Sequence, residues 1–226
     1  MTEVLLVRHG QASLGGPSYD QLSTLGYQQA QWLADYLHAQ HQLNPKAAMV
    51  VSGGMKRQQQ TAEPILGHLG HTSALEQSGF KEFDFESVVM SYLELNPGYP
   101  LADKPTSNDL YRLLSAAMET WAESGLKLHA HQESWLDFHH RVAQAWAELQ
   151  PLKDGRSIIV TSAGVIASIL RQLLRLDNRA TIQLNLQIKN SSVTRLHYDG
   201  SHYHLSGFNS VSHLEHPERL HAITSA

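Results

Sequence analysis

The chain has 226 residues, 42% hydrophobic and 17% charged, with a net charge of −4 (histidine neutral) and no cysteine. This is room for one sizeable core without demanding two domains, and no Lys/Arg cluster is dense enough to follow a nucleic-acid backbone. Disulfides, thiolate metal sites and cysteine nucleophiles are excluded; the apolar N-terminal run is too short for a signal peptide and no stretch spans a bilayer, so a cytoplasmic location is expected.

The elements follow in chain order. Val4-Leu5-Leu6-Val7 predicts a buried strand, with Arg8-His9-Gly10 at its carboxyl end. Residues 13–20, rich in Gly, Pro and Ser, predict a loop. Ser23 or Thr24 then caps a helix carrying Ala30, Leu33, Ala34 and Leu37, broken at Asn44-Pro45. A second buried strand is predicted over 47–51, a turn at Ser52-Gly53-Gly54, and a helix over 55–69 that Pro64 bends. Residues 75–85 read as a short strand and loop. The Pro/Gly-punctuated stretch 86–132 reads as an insertion capping the sheet, with one amphipathic helix over 109–123. A helix over 133–149, a strand over 157–161 and a helix over 164–176 follow. Residues 183–208 alternate in places and predict an edge hairpin turning at Asp199-Gly200. Strands alternating with helices imply an α/β three-layer sandwich in one domain, 1–226: a mostly parallel central sheet, helices on both faces and a helical cap insertion.

Ligands of open α/β sheets bind beyond the carboxyl ends of the strands, which is where Arg8, His9 and Gly10 fall. Arginine matches a phosphate through its planar fork, and a neutral imidazole whose other nitrogen is held can act as a nucleophile. Glycine permits a sharp turn and close approach. Arg57 opens the helix after the second strand, where free amides and the helix dipole favour an anion. Together these residues suggest phosphoryl transfer through a phosphohistidine. Fifteen histidines are present, most scattered. His202 and His204 would share a strand face, but no carboxylate-rich ligand set accompanies them, and neither metal nor cofactor is expected.

Arg8-His9-Gly10, Leu22-Ser23-Thr24-Leu25-Gly26 with Gln29-Ala30, and Arg57 with Gln60-Thr61-Ala62 form an ordered set. With Glu82 in Phe80-Lys81-Glu82-Phe83-Asp84-Phe85, with 133–142 and 160–166, and with Asn190-Ser191-Ser192-Val193, Asn209 and His213-Leu214, it resembles the histidine phosphatase superfamily, the phosphoglycerate mutase-like fold. The resemblance implies that His9 attacks phosphorus, that Arg8 and Arg57 bind the phosphate oxygens, and that Glu82 protonates the leaving alkoxide. A positioned carboxylic acid there is worth about 10²–10⁴-fold, and the flanking phenylalanines favour its protonated form. Asp84 and, more distantly, Glu86 are rival acids. The implied partner is a small phosphorylated substrate, with no nucleic acid and no membrane.

Two departures stand out. Thr161-Ser162-Ala163-Gly164 puts Ser162 where the family carries its second catalytic histidine, leaving a neutral phosphate donor in place of a cationic one. Losing one donor from an anion-stabilising site costs on the order of 10²–10³ in rate. Gly53-Gly54 adds a residue before Arg57, so Arg57 is expected to reach the phosphate by a changed route. The reading is a phosphomonoester hydrolase; the alternative is a catalytically weakened phosphate-ester-binding or sensor protein. If the missing imidazole limits turnover, Ser162→His should restore it, unless the pocket is rebuilt around serine or His139, His140 or His213 has taken the role.

Overall fold

The computed structural model describes residues 2–13, 20–41, 47–102, 104–129 and 132–225. The predicted loop over 13–20 lies almost wholly outside these residues, and the break at Asn44-Pro45 entirely so. Among the described residues six strands form one sheet: β1 (Thr2–Arg8), β2 (Ala48–Ser52), β3 (Leu75–Glu76), β4 (Arg156–Thr161), β5 (Val193–Tyr198) and β6 (Tyr203–Ser210), ordered β3-β2-β4-β1-β5-β6. The first four in that order run parallel; β5 and β6 add an antiparallel edge. Among the described residues seven helices accompany them: α1 (Thr24–His41), α2 (Lys56–Leu69), α3 (Phe85–Leu95), α4 (Ser107–Ala122), α5 (Trp135–Glu148), α6 (Ala163–Leu174) and α7 (Asn178–Gln187).

Strand side chains alternate between two faces, and both are buried. Leu5, Val7, Val50, Ile158 and Val160 pack with Leu33 and Leu37 of α1 and Ile65 and Leu69 of α2. Val4, Leu6, Val51 and Ile159 pack on the other face with α5, α6 and α7, in a cluster that also holds Ala117, Met118 and Trp121 of α4. The result is an α/β sandwich, as the alternation of elements predicts.

Several boundaries are local chemistry. Ser23, rather than Thr24, caps α1: its Oγ accepts from Gly26 N at 3.0 Å. Ser134 caps α5 in the same way, accepting from Asp137 N at 3.1 Å. Two helices depart from the sequence reading. Within the insertion a second helix, α3, begins at Asp84, whose carboxylate accepts from Ser87 N. α3 shows no clean apolar stripe, because Val88 and Ser91 are its only buried residues while Met90 and Leu95 stay exposed. α7 occupies 178–187, partly inside the segment read as a hairpin. There Ile182, Leu184 and Leu186 alternate at period two, yet the Asp177 carboxylate accepts from Ala180 N at 2.8 Å and starts a helix. The hairpin proper is β5–β6, turning through Asp199-Gly200 as expected.

Candidate active site

Three adjacent parallel strands deliver the site residues. His9 and Gly10 follow β1, Gly53 to Arg57 follow β2, and Ser162 to Gly164 follow β4, all at the carboxyl edge of the sheet. The short β3 leads through a 3-10 turn over Ser78–Phe80 to Glu82.

His9 is 4% exposed and clasped on both ring nitrogens. Its Nδ1 lies 2.7 Å from Gly10 O, a pure acceptor, so Nδ1 carries the proton. Its Nε2 receives Arg57 Nε–H at 3.1 Å and therefore presents a lone pair. Burial, then the charges of Arg8 and Arg57, hold the imidazolium well below the ordinary histidine range; the Gly10 bond opposes them without reversing the result. At neutral pH the ring is an uncharged base aimed through Nε2.

Arg57 is the second residue of α2 and, like His9, 4% exposed. The added residue before it is absorbed by Gly54, whose φ of +83° is a left-handed conformation suited to glycine. The changed route therefore still ends at His9. Asp20 completes the setting. Its carboxylate accepts from Arg57 Nη1 at 3.0 Å, Arg57 N at 3.4 Å and Lys56 N at 3.1 Å. This corrects the expectation of free amides at the start of α2: the first two are already bound. Arg8, also buried, donates to Ile188 O at the end of α7, so the helix read as a hairpin helps aim a guanidinium.

Gly10 and Gly26 face each other across the loop between β1 and α1. A Cβ on Gly10 would strike Gly26 O, and one on Gly26 would strike Gln11 O. Backbone crowding, rather than a special φ, is what requires glycine at 10. Thr61 Oγ1 accepts from Gly10 N at 3.0 Å and donates to Arg57 O at 2.8 Å, tying the loop that holds His9 to the helix that holds Arg57. Gln60 Oε1 accepts from Leu22 N and Gln29 Oε1 from Gln11 N, so these polar residues of the ordered set act as scaffolding.

Glu82 is partly buried, and its carboxylate accepts from Gly164 N at 2.9 Å and Phe83 N at 3.1 Å. Burial pushes its pKa up, outweighing these two bonds and the charges of Arg57 and Arg8 that favour the ionised form. Phe83 anchors the segment, its ring 4.8 Å from Trp121 and 5.3 Å from Phe138. The rivals point elsewhere: Asp84 caps α3, bonding Ser87 N and Oγ, and Glu86 is exposed.

Ser162 is fully buried, and its Oγ accepts from Gln58 Nε2 at 2.9 Å. The candidate substitutes for the missing imidazole bond elsewhere. His139 Nδ1 pairs with Ser168 Oγ at 2.7 Å, His213 Nε2 with Ser191 Oγ at 2.7 Å, and His140 is exposed. His202 and His204 do not share a strand face: His202 precedes β6, and His204 pairs with Asp199. Among the described residues no group of three or more His, Asp or Glu could hold a metal ion, and no helix is long and apolar enough to cross a membrane. Sequence reasoning missed Asp20 and Gln58. Gln58 directly follows Arg57 in the sequence, but a lone glutamine in a helix carries no signal of what it touches.

Comparison with known proteins gives the family and the fold. The family model described as histidine phosphatase superfamily (branch 1) matches residues 4–211. No curated protein matches the chain. Among solved structures, a phosphoserine phosphatase from Entamoeba histolytica in complex with phosphoserine shares 19% identity, covering 95% of this chain and 100% of that one, with a TM-score of 0.63. A mycobacterial glucosyl-3-phosphoglycerate phosphatase in complex with inorganic phosphate shares 21%, over 95% and 100%, at 0.62. A phosphoglycerate mutase from Bacillus anthracis shares 15%, over 94% of each chain, at 0.63. At these identities the likeness is one of fold.

Proposed function

The chain belongs to the histidine phosphatase superfamily, and from that premise we propose that it hydrolyses small phosphomonoesters through a phosphohistidine at His9. The observation that carries the reading is His9 Nε2, deprotonated and in contact with Arg57 in a buried setting. As Arg57 turns its donors from Nε2 to the phosphate oxygens, the freed lone pair attacks phosphorus, forming the N–P bond as the ester P–O bond breaks. Glu82, whose pKa burial pushes upward, gives its proton to the departing alkoxide. The resulting carboxylate then takes a proton from water, whose oxygen displaces Nε2 and releases orthophosphate. Arg8 and Arg57 bind the phosphate oxygens throughout, and Ser162 contributes a neutral donor. The phosphatases of similar fold bind phosphoserine or inorganic phosphate, which fits a small phosphorylated substrate in this site.

Charge neutralisation falls to the two guanidinium groups, so turnover is expected in the presence of a chelator. Purified protein given an aryl phosphate and chelator should release phosphate, and His9→Ala should abolish the release. Wild-type release no greater than that of His9→Ala would overturn the reading. The second reading, a phosphate-ester sensor, rests on Ser162 standing where a cationic donor is expected. It requires phosphate binding weakened by Arg8→Ala with no covalent intermediate.

A further inference from the structure

Three features of the site depart from expectation: a serine at 162, a glycine pair before Arg57, and a buried glutamine at 58. The structure joins them through one side chain. Gln58 is fully buried; its Oε1 accepts from Met55 N at 3.2 Å, and its Nε2 donates to Ser162 Oγ at 2.9 Å and Phe80 O at 3.3 Å. A Cβ at Gly53 would collide with Gln58 Oε1 and Phe80 O, so the glycine makes the seat that the glutamine fills.

Ser162 stands at the N-cap position of α6, where a serine ordinarily accepts from an amide of the first turn. Here it makes no capping bond. The amide of Gly164 is taken by Glu82 instead. Ser162 Oγ therefore accepts from Gln58 and keeps its own proton to donate. That proton has no acceptor among the described residues.

We propose that Gln58 is a positioning residue: by donating to Ser162 Oγ it turns the serine hydroxyl proton toward the bound phosphate, and Gly53, Gln58 and Ser162 form one uncharged replacement for a cationic donor. The inference rests on the phosphatase reading and specifies how the anion is held. It also revises the expectation that a histidine at 162 restores turnover. In the serine's own rotamer, an imidazole would enter the space held by Gln58 Nε2.

The test is a double-mutant cycle, read both as kcat and KM on an aryl phosphate and as orthophosphate affinity by calorimetry. Ser162→Ala is expected to lower kcat by about 10²-fold. Gln58→Met keeps the side-chain volume and removes its hydrogen bonds; it should lower kcat by about tenfold or more in the wild type and by less than twofold once Ser162 is alanine. A purely structural glutamine would cost the same in both backgrounds, and that result would overturn the inference while leaving the phosphatase reading intact. Ser162→His alone should not raise activity. Ser162→His with Gln58→Ala should raise it over Gln58→Ala and add a new ionisation to the pH profile. Should wild-type turnover fail, the cycle in orthophosphate affinity still decides: additive losses contradict the proposal.

Discussion

The chemistry of single groups separates the two candidate acids. Glu82 is the match to the family's proton donor and Asp84, two residues on, is its rival, but Asp84 spends its carboxylate on the start of α3. Glu82→Gln is therefore expected to slow turnover of alkyl phosphates by about 10²–10⁴-fold. Aryl phosphates, whose leaving groups need little protonation, should suffer much less, and Asp84→Asn should barely change either rate. Comparing kcat/KM, which reports the steps up to the phosphohistidine, for the two substrate types checks this; equal losses on both would remove Glu82 as the acid. The pH dependence has a definite sign. Because burial raises Glu82, its acid form is lost as pH climbs through that raised value, and activity should decline on the alkaline side. Because His9 is held well below the ordinary range, its neutral form survives into acid, and the acidic decline should begin below the usual histidine pKa. Glu82→Gln should erase the alkaline decline. His9, Arg8, Arg57 and Glu82 were legible as candidates because their types and order suggest the chemistry. Gln58 and Asp20 were not, because their importance lies in what they touch.

At the level of elements, close approach of backbones sets what substitution the site tolerates. Gly164, in the first turn of α6, leaves no room for a Cβ: it would collide with Glu82 Oε1 and lie 2.8 Å from the Phe83 ring. Gly164→Ala should leave the far-ultraviolet dichroism unchanged while lowering alkyl-phosphate turnover about as far as Glu82→Gln does, since both act on the same proton. Retained activity would mean that the carboxylate need not sit against that amide. The parallel strands were readable because β1, β2 and β4, buried on both faces, are continuous apolar runs. α3 and α7 were not, for opposite reasons. α3 is apolar on exposed positions as well as buried ones, and the Leu-Asn-Leu-Gln alternation in α7 imitates a strand until Asp177 caps it. Tertiary packing overrode the local pattern in both, and α7 then supplies the carbonyl that anchors Arg8.

Across the whole molecule, neutral histidines withdrawn partly or wholly from solvent couple folding to pH. His139 and His213, one on each side of the sheet's helical layers, are both lowered to about 4 by burial and by the nearby charges of Arg171 and Arg219 respectively. In the unfolded chain they titrate near 6.5. Their contribution to stability is therefore present above that value and is lost as pH falls through the folded values. The urea midpoint should drop between about pH 7 and about pH 4.5, and His139→Leu should lessen the drop. An equal drop in the variant would contradict the assignment.

The whole arrangement converges on one atom, Nε2 of His9, and its phosphorylation can be sought directly. A single turnover of an aryl phosphate, stopped within the reaction under alkaline conditions, should leave a phosphoryl group on the peptide that contains His9, and fragmentation should place it on that imidazole. Phosphate released with no label on that peptide at any quench time, or label that persists in His9→Ala, would contradict the account.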